Sequence, residues 1–226
     1  IRTAAAGVFG GTEAEQVLSF LERMSPVYIG VAYKPGALQP LRNLLGQTES
    51  VASFDDEGFC EQEFLQRTEE NPLCRGLFYC AKIRSLYWFG LYQEGVRYLE
   101  YADFAAHMLA GQASIPETYF FMSLTLLAVY PDASEAEQAD YDEHLDTYQR
   151  QMKIWADLCP DNFLHKYLFV EAERARVAGR VTQAMTLYKQ GIASAGAYGY
   201  LNNEALGNEL YGRFWLERDE VDYARI

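Results

Sequence analysis

Apolar positions recur every three or four residues along most of the chain, and no stretch alternates convincingly at period two, so the elements read as helices. The run AGRVTQAMTLYKQGIASA (178–195) has the grammar of a joint between two of them. Gly179 closes one amphipathic helix, and Ala184 opens the next, followed by Tyr188, Ile192 and Ala193. The same order recurs at 90–102, with Gly90, Tyr92, Gly95, Leu99 and Ala102, and starts again at Asp219, Val221 and Ala224. Glycine suits the residue just past a helix because the chain there turns through positive φ, where a Cβ clashes. Hairpins that recur in this way stack, since each buries its apolar face only against its neighbours.

Taken in order, Thr12 and Glu15 form a capping box ahead of Val17, Leu18, Phe20 and Leu21. The stretch VYIGVAY (27–33) fits a short strand or a helix started by Ser25 and Pro26, and its helical neighbours favour the helix. A turn at Pro35–Gly36 leads to a short helix over 38–46 closed by Gly46. The polar stretch 47–60, with Asp55, Asp56 and Glu57 in a row, lacks the spacing of a calcium loop and reads as a solvated connection to a helix over 61–70. Residues 77–90 and 90–109 read as a helical pair. The segment 115–130 is apolar nearly all round and therefore belongs between neighbours. Ser134 caps a helix running to Leu158, which Pro160 ends. The next hairpin is 162–178 with 181–195, and Asn202 or Asn203 caps a last helix over 202–218.

Small residues at Ala172, Ala184, Ala193 and Gly212 allow close helix approach, with Leu187, Tyr188 and Trp215 filling the remaining holes. The pattern predicts an all-α chain with a TPR-like α-α superhelix, a solenoid of antiparallel helical hairpins. Residues 1–47 are expected as an N-terminal helical segment. Residues 48–226 are expected as the TPR-like repeat domain, truncated within a last hairpin.

Composition narrows the role. The 226 residues include 17 Tyr and 13 Phe but only seven Pro, which suits packed helices with aromatic fillers. A formal net charge of −13 argues against nucleic acid, which needs a basic face. Cys60, Cys74, Cys80 and Cys159 show no CxxC spacing, so a metal site is not expected, and reduced thiols suit a cytoplasmic location. No run approaches the ~20 apolar residues of a membrane helix. Ala4–Ala6 is too short for a signal peptide. The absence of an initial Met, with a helical pattern still open at the last residue, leads to the expectation of a piece of a longer protein.

Several phrases then point to one family. The runs FYCAKIRSLYWFGLYQEGVRYLEYADFA, IPETYFFMSLTLLAVYPDASEAEQADY, WADLCPDNFLHKYLFVEAERARVAGRVTQAMTLYKQGIASA and GYLNNEALGNELYGRFWL occur in that order over about residues 50–226. Together they resemble the helical region of very large bacterial signalling proteins. That region follows a Ser/Thr protein kinase and an AAA-like, STAND-type ATPase, and precedes a GAF domain and often a histidine kinase. The resemblance implies a non-catalytic scaffold that relays state between the ATPase and the sensor or kinase modules. Its partners would be protein, either the flanking domains or a regulatory peptide, with no cofactor, nucleic acid or membrane insertion.

Motifs for phosphoryl transfer are missing from these residues: there is no Gly-rich loop with a Lys, no HRD-like loop and no His box. His107, His144 and His165 stand apart in sequence, and His165 reads as structural. No acid–base or nucleophile constellation marks an enzyme. Setting Gly90, Gly179 and Asp219 in register turns Arg84, Tyr87, Lys166, Phe169, Glu173, Arg176, Glu209 and Arg213 toward a concave face that would grip an acidic or C-terminal peptide, or an acidic surface of a sister domain. The plainer reading is a mixed solvated face with pairs within a helix, such as Glu173 with Arg176. An alternative function is inducer binding, in which a small molecule occupies an aromatic groove lined by Tyr79, Tyr87, Tyr119 and Phe120.

Overall fold

The local signals that start and stop helices act largely where they stand in the sequence. A computed structural model of the chain describes residues 38–109, 114–220 and 222. Among these residues the structure is helical and holds no strand. The capping box at Thr12–Glu15, the helix over 27–33, the turn at Pro35–Gly36 and the partial repeat at Val221 and Ala224 lie outside the described residues. The chain divides into two compact units, Ile1–Thr125 and Leu126–Ile226.

The first unit contains α1 (Gln39–Leu44), α2 (Glu61–Arg67), α3 (Pro72–Trp88), α4 (Tyr92–Val96) and α5 (Leu99–Met108). Asn71 caps α3 by accepting the Cys74 N–H at 3.0 Å, and Pro72 takes the first helical position, where its missing N–H costs nothing. The helix therefore starts five residues before the periodic stretch that announces it. The expected helix over 90–109 is broken in two at Arg97 and Tyr98. Gly95 weakens it, and Tyr98 turns its ring onto Tyr79, with centroids 4.7 Å apart. On α3, Gly76 lets α5 approach so closely that a Cβ there would stand 2.6 Å from the Tyr101 carbonyl oxygen.

Residues 47–60 are more than a solvated connection. Phe54 is 1% exposed and packs edge-on against Phe78, in a cluster with Phe64, Tyr79 and Ala81. The polar residues hold that loop down. Asn43 donates to Thr48 Oγ1 at 2.9 Å and to the carbonyls of Ser50 and Ser53 at 3.1 and 3.0 Å, so hydrogen bonds cross the point between 47 and 48. Asp56 accepts from Gln39 at 2.9 Å, from Arg42 at 2.6 Å and from the Gly58 N–H at 2.7 Å. Burial would raise its pKa, but these donors outweigh it and hold the carboxyl below its usual range. Glu61 accepts the Phe54 N–H and pairs with Lys82, whose ammonium lies 4.6 Å over the Phe54 ring.

The division between units falls within α6 (Ile115–Val129), which is apolar and largely buried as its composition requires. After a 3₁₀ turn at Tyr130–Asp132 the second unit continues with α7 (Glu135–Leu158), α8 (Pro160–Val177), α9 (Val181–Ala197) and α10 (Leu201–Leu216). Ser134 and Glu137 close a full capping box at the start of α7. Pro160 begins α8 as well as ending α7. Helix α8 packs on α7 and α9, and α9 packs on α10; Cys159 alone joins α7 to α8, and turns of three residues make the next two connections.

One joint recurs. Gly46, Gly90, Gly179 and Gly199 all have φ between 69° and 76°. At Gly90 the glycine N–H reaches the Tyr87 carbonyl, and the next N–H, of Leu91, reaches Leu86, which is the paired bonding of a Schellman stop. Gly46, Gly179 and Gly199 repeat both bonds, and so does Asp219 with φ 59°. The register drawn between Gly90, Gly179 and Asp219 is therefore a shared backbone geometry.

Candidate functional site

Helix α8 carries four of the eight residues singled out from the sequence: Lys166, Phe169, Glu173 and Arg176. Their spacing of three, seven and ten places them along one stripe of a 3.6-residue helix, together with Ala172. The structure brings these four together, but on the face that α8 buries. Phe169 is 0% exposed, Glu173 5% and Lys166 6%. The stripe that reads as a concave lining is thus a packing face, because α9 and α10 lie within the same unit and cover it. Small residues make that cover possible: a Cβ on Gly191 of α9 would stand 2.6 Å from the Phe169 ring, and one on Gly207 of α10 would stand closer still.

At one end of the stripe lies His165, fully buried. Its Nε2 is 2.8 Å from Asn203 Nδ2 and 3.4 Å from Lys166 Nζ, and its ring lies 4.6 Å from that of Tyr200. Asn203 therefore sits inside α10 as the imidazole's partner rather than at its N-cap; Tyr200 holds that position without a side-chain cap bond. Lys166 lies 5.2 Å over the Tyr200 ring. Burial, helped by the Lys166 charge, pushes the His165 pKa down to about 3. The imidazole is neutral at pH 7, in keeping with a structural histidine.

At the other end, Glu173 and Arg176 form the expected pair within the helix, with Nε to carboxylate at 2.9 Å. Three further groups join them, none visible from local spacing. Tyr188 of α9 donates its O–H to Glu173. The Arg176 guanidinium also donates to the Leu127 carbonyl at 3.2 Å and to Glu217 at 3.3 Å. Burial raises the Tyr188 pKa strongly, and the Glu173 charge adds to that. Burial would lower that of Arg176, but Glu173 and Glu217 overcome it and raise it.

The remaining candidates lie elsewhere. Glu209 and Arg213 pair with each other one turn apart on α10, their side chains 37% and 40% exposed. Arg84 and Tyr87 belong to α3 in the first unit. Arg84 is half-buried, and its charge acts on Cys80, whose thiol burial pushes up to about 11. Tyr87 is 5% exposed, with its ring against Tyr92 and Phe121 at 5.2 and 5.5 Å. The aromatic residues suggested for an inducer groove are equally deep: Tyr79, Tyr119 and Phe120 are 6%, 7% and 0% exposed. Among the described residues, no group of three or more His, Cys, Asp or Glu could hold a metal ion, and no helix is long and apolar enough to cross a membrane. Comparison with protein-family models, curated proteins and solved structures yields no match.

Proposed function

We propose that this chain is a non-catalytic helical scaffold, a TPR-like array that binds protein and relays state between modules of a larger signalling protein. The observation that carries the reading is the recurring joint. Helix after helix ends in the same left-handed turn, and polar side chains such as Glu173, Arg176 and His165 are spent on holding neighbouring helices together. Such arrays offer extended surfaces for partners. The family resemblance supplies the partner class: flanking kinase, ATPase and GAF modules. The aromatic residues that would line an inducer pocket support the alternative less, because all four are buried, with Tyr87 against Tyr92 and Phe121 and Phe120 against Phe121.

The test has two arms. Thermal-shift measurement against a panel of nucleotides and metabolites should leave the melting temperature unchanged, and a strong shift with a small molecule would sink the pure scaffold. Pull-down by the flanking modules should weaken in Arg84→Glu or Arg213→Glu, which alter partly exposed positions. Full retention of binding by both variants would remove those faces from the interface.

A further inference from the structure

The last carbonyls of a helix need partners from outside its own ladder. In α6, the N–H four residues beyond Leu127 would belong to Pro131, which has none. Arg176 of α8 supplies a donor instead, at 3.2 Å. The same guanidinium holds Glu217, the C-cap residue of α10, and Glu173, which in turn accepts from Tyr188 of α9. One cation thus bonds the ends of two helices 90 residues apart in sequence and, through Glu173, a third.

The two sides of this group differ. The Arg176 and Glu173 side chains are 11% and 7% exposed, so their pairing is sealed from water. Glu217 is 49% exposed, its bonds to Arg176 are long at 3.3 Å, and Arg218 stands 3.9 Å from the same carboxylate as a competitor. An exposed contact of that kind opens easily, whereas a buried one does not.

We propose that Arg176 is a latch that couples the C-terminal end of α10 to the C-terminal end of α6, so that releasing Glu217 loosens the last turn of α6. The division between the two compact units falls within α6, so the latch acts on the helix they share along the chain. Its use in relaying state rests on the scaffold reading above; the coupling itself does not.

Amide hydrogen exchange on the full chain tests it. In Glu217→Gln, the amides of residues 126–130 should exchange about two- to fivefold faster, while those of 145–152 in the middle of α7 stay as in wild type. Glu209→Gln, which removes a partly exposed ion pair on the same helix, should leave 126–130 unchanged. Arg176→Lys keeps the charge but lacks the fork needed to serve three acceptors, and should act like Glu217→Gln. Unchanged exchange at 126–130 in Glu217→Gln would overturn the latch, as would an equal acceleration throughout the second unit. Either result leaves the scaffold reading standing, and a small-molecule thermal shift would leave the latch standing.

Discussion

The ring of Phe169 on α8 lies where a side chain on Gly207 of α10 would have to stand. Gly191 of α9 meets the same ring, so one aromatic side chain fills a hole framed by glycines on two neighbouring helices. Close-packed interiors do not give way easily at such points.

Gly207→Ala should therefore destabilise the chain, although alanine is favoured over glycine inside a helix by about 1 kcal/mol. Overpacking costs about 1–3 kcal/mol and outweighs that gain. Urea unfolding should show the loss. Adding Phe169→Leu should recover part of it, since the two changes share one space. Additive losses would mean the contact is unimportant.

The Schellman stops allow a cleaner test of backbone strain. No atom lies within 4 Å of a Cβ built at Gly90 or Gly179, so alanine there meets only the left-handed backbone penalty of about 1–2 kcal/mol. Asp219 already bears such a penalty at φ 59°. Asp219→Gly should raise the unfolding midpoint, by about 1 kcal/mol in stability. A lowered midpoint would show that the carboxylate has a compensating partner.

Buried and exposed ion pairs should differ sharply. Arg176→Met strips the buried Glu173 carboxyl of its cation, a loss of about 3–5 kcal/mol. Arg213→Met, at a partly exposed pair, should cost under about 1 kcal/mol. Both are read from the same denaturant curves.

Acid should unfold this chain through His165. Its folded pKa of about 3 lies below the ordinary value of 6.5, so between those limits the unfolded chain binds a proton that the folded chain does not. The stability it contributes is complete above pH 6.5 and is lost as pH falls toward 3, at up to about 1.4 kcal/mol per pH unit. Asp56 adds in the same direction at lower pH. Its folded pKa is below the usual 3.8, so its contribution is present above that value and lost beneath it. Stability measured from pH 7 to pH 4 should fall, and His165→Gln should flatten the slope.

Much of the secondary structure is legible locally because its causes are local. Positive φ at Gly90 and Gly179 follows from Cβ sterics, the capping box at Ser134 from a three-residue spacing, and the Glu173–Arg176 pair from one helical turn. Where the reading and the structure part, the deciding contact comes from elsewhere. Tyr98 breaks a helix to stack on Tyr79, Phe54 draws a polar loop onto a core, and Asn203 leaves a cap position to meet His165.

The same contrast governs the candidate site. Periodicity alone determined that Lys166, Phe169, Glu173 and Arg176 share one stripe of α8, because a helix repeats every 3.6 residues whatever surrounds it. Only the tertiary structure decided that this stripe faces inward, that Tyr188 and Glu217 complete the Arg176 group, and that Leu127 needs it. Those bonds span from 15 to 49 residues along the chain, and no local rule reaches so far; close packing of helices through glycine and alanine brings them together.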